Sequence, residues 1–164
     1  MHYLDKDIFS VRQALAAYYV KGYRRIFEVG CGNNPLYNYL DSYDLFVGVD
    51  PNVEPLITDT VKLYRRKLGE QPNYGSFDAI VALGVDLRRN TNQVIGEFFG
   101  LLSDARVVVI EASRWDTTSR ILTKLGFVVE SCGFYKYLSI NLDILNEDVC
   151  NLDHSKRIFE VWRK

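Results

Sequence analysis

Four stretches of this chain carry side chains of the kind that bind ligands or react. Residues 24–34 read R-R-I-F-E-V-G-C-G-N-N, an apolar run in which Glu28 stands two positions before a Gly30-Cys31-Gly32 turn. Glycines at such a turn accept positive φ, and without a Cβ they let a ligand approach the backbone closely. Residues 45–51, L-F-V-G-V-D-P, form a second apolar run ending in Asp50, eighteen positions beyond Gly32. The third stretch is Leu83-Gly84-Val85-Asp86-Leu87-Arg88-Arg89, after a third apolar run, and the fourth is Glu111, which ends A-R-V-V-V-I-E. A strand, a glycine turn, a helix opened by Pro35 and a second strand ending in an acid make half of a nucleotide-binding α/β fold.

The ligand is narrowed by charge. A dinucleotide site wants G-x-G-x-x-G with a pyrophosphate on the helix N-terminus. Pro35 occupies the third glycine position, and Glu28 sits badly beside a pyrophosphate, which sets a nicotinamide-dependent oxidoreductase aside. An acid there suits a cation, such as the α-ammonium of a cofactor that carries an amino acid. On these residues the chain resembles the class I S-adenosylmethionine (SAM)-dependent methyltransferases. Their first motif, E/D-x-G-x-G-x-G, is matched by Glu28, Gly30 and Gly32, and their acid at the end of the second strand by Asp50. Asn34 replaces the last loop glycine; Asn tolerates the left-handed region better than most residues.

The resemblance implies that SAM is the cofactor. Glu28 then holds the methionyl ammonium through water or the loop backbone, Gly30 and Gly32 pass under the methionyl and ribose parts, and Asp50 accepts from the ribose hydroxyls with its two oxygens. Cys31, Asn34, Pro51, Leu83 and Gly84 complete the implied cofactor shell, with Pro51 and Asn52 beside the adenine. The bland alternatives are a paired charge before a turn for Glu28 and a turn carboxylate for Asp50. Cys31 is a small packing residue unless its thiol pKa is depressed. Asp86 is the candidate catalytic residue, as a general base or an acid orienting the nucleophile; a solvated loop acid is its alternative. Arg88 and Arg89 suit a phosphate or carboxylate on the acceptor. Glu111 is a further candidate to face the crevice, and Asp78 reads as structural.

The elements that must position these residues follow from pattern. Helices are expected over Asp5–Lys21, with Ile8, Val11, Leu15, Tyr18 and Tyr19 at helical spacing, over Pro35–Leu40, Thr91–Leu102 and Thr117–Leu125. A helix starting near Asp59 and carrying Leu63, Tyr64 and Leu68 is also expected, with Leu56-Ile57-Thr58 as a short third strand and Arg65-Arg66-Lys67 on a solvated face. Strands are expected over Ile26–Val29, Leu45–Val49, Phe77–Val85 and Ala105–Glu111. Phe127–Glu130, Phe134–Ile140 and Ile158–Trp162 follow as terminal β structure. The fold class is α/β, a Rossmann-like three-layer sandwich with a mostly parallel sheet and an antiparallel last strand. One methyltransferase-like domain spans residues 1–164: residues 1–22 form an N-terminal helix covering the cleft, and 23–164 the core.

The bulk numbers bound the function. At 164 residues, 48% hydrophobic and 25% charged, the chain is long enough for a good core. A net charge of -1 gives no drive toward nucleic acid or anionic membrane, so a nucleic-acid acceptor is not favoured. Three cysteines without C-x-x-C spacing and two histidines offer no metal site and fit a reducing cytoplasm. No signal peptide or bilayer-spanning run is read. The expected activity is in-line methyl transfer to a small or anionic acceptor. A catalytically silent binding or regulatory module is the alternative. The site is left open, completed by the N-terminal helix, or covered by a second subunit in a homodimer.

Overall fold

The computed structural model describes residues 3–67, 74–85, 98, 100–112, 118–134 and 158–164. The first helix, α1, runs Tyr3–Val20. It is followed by β1 (Arg25–Val29), a single 3-10 turn (Leu36–Tyr39), β2 (Leu45–Asp50), β3 (Leu56–Ile57), β4 (Val61–Arg65) and β5 (Ala79–Leu83). After helical residues 100–102 come β6 (Val107–Ala112), α2 (Thr118–Lys124), β7 (Val128–Phe134) and β8 (Ile158–Arg163).

The eight strands form one sheet in the order β3-β4-β2-β1-β5-β6-β8-β7. Strands β4, β2, β1, β5 and β6 are mutually parallel, and β8 enters antiparallel between β6 and β7. The sheet is therefore the mostly parallel one expected, with its last strand reversed. The central strands are apolar on both faces, as strands covered on both sides must be. Phe27, Val29, Val47, Val49, Ile80 and Val108 pack with Leu102 and Leu122 on one face. Ile26, Phe46, Val81 and Val109 pack with Ala16, Ala17 and Val20 of α1 on the other. Helical layers thus lie on both faces, and the three-layer architecture stands.

Three expectations are corrected. The helix expected near Asp59 is instead β4, whose burial alternates from Val61 to Tyr64 and which pairs in parallel with β2. Leu56–Ile57 is a strand, but as an antiparallel edge on β4 rather than the third parallel strand. In α1 the buried stripe is Gln13, Ala16, Ala17 and Val20; Leu15 and Tyr19 of the expected face pack partly buried against the same core, while Tyr18 is 71% exposed. Small alanines let the helix lie close to the sheet, and the bulky Tyr18 turns outward. Ile8, Val11 and Leu68 lie outside the described side chains, as does most of the helix expected over Thr91–Leu102 and the β structure beyond Phe134. The basic run is not wholly solvated either: Arg65 donates to the Val53 carbonyl at 2.9 Å and pairs with Glu54 at 2.7 Å.

Gly48, at the middle of β2, leaves room for the glycine loop. A Cβ there would meet Cys31 Sγ and Leu63 Cδ2, each at 2.9 Å. Such overpacking costs about 1–3 kcal/mol. Gly48→Ala is expected to lower Tm by roughly 3–10 °C, read by thermal denaturation; an unchanged Tm would show that the loop does not rest on this strand.

Candidate functional site

Side chains alternate across a strand, so parity decides which face each acid reaches. Ile26 lies on the α1 face, and so does Glu28; Phe46 lies there, and so does Asp50; Val107 and Val109 lie there, and so does Glu111. Leu83 shares that face. Glu28 stands beside Gly48, Val29 beside Val49, and Leu83 beside Glu111. Three carboxylates therefore lie toward the C-terminal edge of the parallel strands on one side of the sheet, Glu28 and Glu111 of them in contact with α1. Open α/β sheets bind ligands at that edge.

Backbone contacts fix the glycine loop. The N–H groups of Gly30 and Cys31 donate to the Val49 carbonyl at 2.8 and 3.3 Å. Gly30 has φ +70°, and a Cβ on it would meet Val85 Cγ2 at 2.5 Å, so the loops after β1 and β5 touch where only glycine fits. Gly32 has φ +55°, and the position of its missing Cβ has nothing within 4 Å. The loop is thus tight on its sheet side and open at Gly32. Asp50 Oδ2 accepts the Gly32 N–H at 3.1 Å and Oδ1 accepts the Asn52 N–H at 2.7 Å. A carboxylate offers about four lone-pair sites, so acceptor capacity remains on both oxygens.

Glu28 is 1% exposed. Its Oε2 accepts the Leu36 N–H at 2.8 Å and its Oε1 accepts from Gln13 Nε2 at 3.2 Å. Burial drives its pKa up to about 8, against the pull of those two hydrogen bonds and of the Arg12 charge; the nearby Asp50 charge adds to the rise. Gln13 Nε2 also donates to the Asn34 carbonyl at 2.6 Å, which ties α1 to the loop as well as to β1. Glu111, fully buried, pairs with Arg12 at 2.7 Å.

The sequence-predicted residues divide accordingly. Glu28, Gly30, Cys31, Gly32, Asn34, Asp50, Leu83 and Gly84 all lie at this edge, with Pro51 exposed just beyond it. Asp86, Arg88 and Arg89 lie outside the described residues. The 3-10 turn does not offer its first amide to a ligand, because Glu28 takes the Leu36 N–H. Asn34 does not use the left-handed region, since no non-glycine residue has positive φ among the described residues. Its amide instead donates to Tyr39 Oη at 2.8 Å. Cys31 is buried, and burial first, then the Glu28 and Asp50 charges, raise its pKa, so it is a packing residue and not a reactive thiol. Asp78 is structural as expected, accepting from the backbone N–H groups of Arg24 and Arg25 at 3.2 and 3.1 Å.

Arg12 and Gln13 were not singled out by sequence reasoning. The available signal was a pair of polar residues immediately before the Ala-rich stretch that begins at Ala14, but nothing in it names their partners. A separate cleft of about 340 Å³ between α1 and residues 39–42 holds none of the predicted site residues. Among the described residues no group of three or more His, Cys, Asp or Glu side chains is placed to hold a metal ion, and no helix is long and apolar enough to cross a membrane.

The raised pKa of Glu28 has a stability consequence. The folded form holds its proton up to about pH 8, whereas an unfolded glutamate releases it near 4.3. Between those values the folded state binds more protons, so this group's stabilising contribution is complete below the lower pKa and is lost as pH rises through about 8. Urea denaturation from pH 5 to 8 is expected to show Glu28→Gln losing less stability with rising pH than the parent. Parallel profiles would show that Glu28 ionises normally.

No protein-family model matches the sequence, and no curated protein matches it. Solved structures do. An S-adenosylmethionine-dependent methyltransferase from Mesorhizobium loti is 14% identical over 94% of this chain and 96% of its own, with a TM-score of 0.66. The N-methyltransferase NodS from Bradyrhizobium japonicum WM9 is 10% identical over 97% and 96%, with a TM-score of 0.67. Magnesium protoporphyrin IX methyltransferase (ChlM) from Synechocystis PCC 6803, solved with bound SAM, is 17% identical over 100% and 85%, with a TM-score of 0.62. At such identities the likeness is one of fold, the α/β Rossmann-like fold that these methyltransferase structures share with this chain.

Proposed function

We propose that the chain binds SAM along the C-terminal edge of β1 and β2 and transfers its methyl group to a small or anionic acceptor. The observation that carries this reading is the disposition of Glu28 and Asp50. Both acids lie on one sheet face, on either side of a glycine turn that is open at Gly32. A carboxylate whose pKa is pushed up to about 8 by burial is one that a cation would return to its charged form. An α-ammonium supplies that cation, and the spare lone pairs of Asp50 suit a ribose diol.

When bound, the cofactor supplies an electrophilic methyl group. The chain's part is to hold the two ends of the molecule, to aim the acceptor, and to remove one proton from it. In this reading Glu28 holds the ammonium, Asp50 the sugar, and Gly30 and Gly32 the space between. Cys31 and Asn34 shape the loop, and Pro51, Leu83 and Gly84 border the nucleoside. Asp86 takes the acceptor's proton, and Arg88 and Arg89 draw an anionic acceptor. The second reading is the catalytically silent module, which binds the cofactor without turnover.

Calorimetry with SAM and with S-adenosylhomocysteine tests the binding step, and methyl transfer to a panel of small anionic acceptors tests turnover. Binding of both is expected, weakened about tenfold or more by Asp50→Ala. Affinity is expected to rise from pH 6 toward 8 by up to about tenfold per unit, because an ammonium selects the ionised form of a group titrating near 8. Absence of binding by either nucleoside overturns the proposal; binding without transfer leaves the second reading.

A further inference from the structure

Gln13 sits on the inner face of α1 and is 4% exposed. Its Nε2 donates twice, to Glu28 Oε1 at 3.2 Å and to the Asn34 carbonyl at 2.6 Å. Its Oε1 is buried with no hydrogen-bond partner. The amide cannot be turned over to cure this. The Asn34 carbonyl only accepts, so a flipped amide would set two oxygens against each other at 2.6 Å. A buried acceptor without a donor costs free energy, and such a group in a folded protein calls for an explanation.

Geometry suggests the missing donor. The oxygen and nitrogen of one amide are roughly 2.2 Å apart by covalent dimensions. Gln13 Oε1 is therefore at most about 5.4 Å from Glu28 Oε1, given the 3.2 Å contact. A tetrahedral ammonium donating at about 2.8 Å to each of two oxygens spans about 4.6 Å, which lies inside that bound. It has three N–H donors and no acceptor, and it meets a carboxylate and a neutral carbonyl at once.

Resting on the cofactor reading above, we propose that Gln13 is itself a cofactor contact. Its side-chain oxygen accepts one N–H of the ligand's α-ammonium, which is shared between Glu28 on β1 and Gln13 on α1. The ligand thereby fastens the helix to the sheet, so occupancy of the site and closure of α1 are linked. This goes beyond a site built from strand ends and the glycine loop alone, because it makes the N-terminal helix part of the amino-acid recognition.

The test compares S-adenosylhomocysteine with its analogue lacking the α-amino group, on the parent chain and on Gln13→Met. The parent is expected to prefer the amino compound by about tenfold or more, and Gln13→Met to lose most of that preference while binding the deaminated compound within about twofold of the parent. Equal loss of affinity for both compounds in Gln13→Met overturns the proposal in favour of a purely structural role. Hydrogen exchange of the parent keeps the proposal testable if the variant does not fold. The amino compound is expected to protect the amides of residues 12–20 more than the deaminated one, and equal protection overturns it. If neither compound binds the parent, the cofactor reading itself fails. If both bind the parent alike, nucleoside binding at Asp50 stands, and ammonium recognition by Gln13, and by Glu28 with it, is overturned.

Discussion

A carboxylate almost shut off from water has to be met by donors or give up its charge. Glu28 is in that position, and much of the site's architecture follows from it. Its place on β1 sends it to the α1 face, and its depth leaves it only neighbours that the chain itself supplies. Those are the Leu36 amide below the 3-10 turn and the Gln13 amide from α1. The same Gln13 reaches the Asn34 carbonyl, so one side chain joins helix, strand and loop. A second buried acid on the same face, Glu111, draws Arg12 from the adjacent position of the helix. Removing one partner of a buried charge leaves the other uncompensated, which is costly. The helix is thus held over the strand ends by the polar contacts of Arg12 and Gln13 as well as by its alanine stripe.

Asp50 differs from Glu28 in kind. It sits where β2 leaves the sheet, partly open, with its oxygens steadied by the Gly32 and Asn52 amides. It is positioned by backbone and retains acceptor capacity, whereas Glu28 is enclosed and costly to charge. Cys31 lies within reach of both charges and is itself buried. An asymmetric ligand with a cation at one end and a diol further along matches this pair better than a uniformly anionic one.

The parallel strands were legible in the sequence because Ile26–Val29, Leu45–Val49 and Phe77–Val85 are mainly apolar runs with glycine and acid within them or at their ends. Their ends, Glu28 and Asp50, could be placed at one edge by topology alone. What failed was read from shorter patterns. Val61 to Arg65 carries two buried side chains separated by one residue, which a helical reading of Leu63, Tyr64 and Leu68 also accommodates; pairing with β2 decided for a strand. Asn34 invited an argument from backbone conformation, yet its role is to bond with Tyr39. Gln13 and Arg12 were invisible as site residues because their partners, Asn34, Glu28 and Glu111, are 21, 15 and 99 positions away. No local pattern encodes a partner at that distance.

In the proposed function one face of the sheet edge grips a sulfonium nucleoside at both ends, with an acid for the amino-acid end and an acid for the sugar. A crystal structure of the chain with S-adenosylhomocysteine bound measures this directly. The amino group is expected within hydrogen-bonding distance of Glu28 and the ribose hydroxyls on Asp50, with the chain of the ligand passing over Gly32. A ligand found elsewhere, such as the cleft between α1 and residues 39–42, with both acids untouched, would contradict that reading.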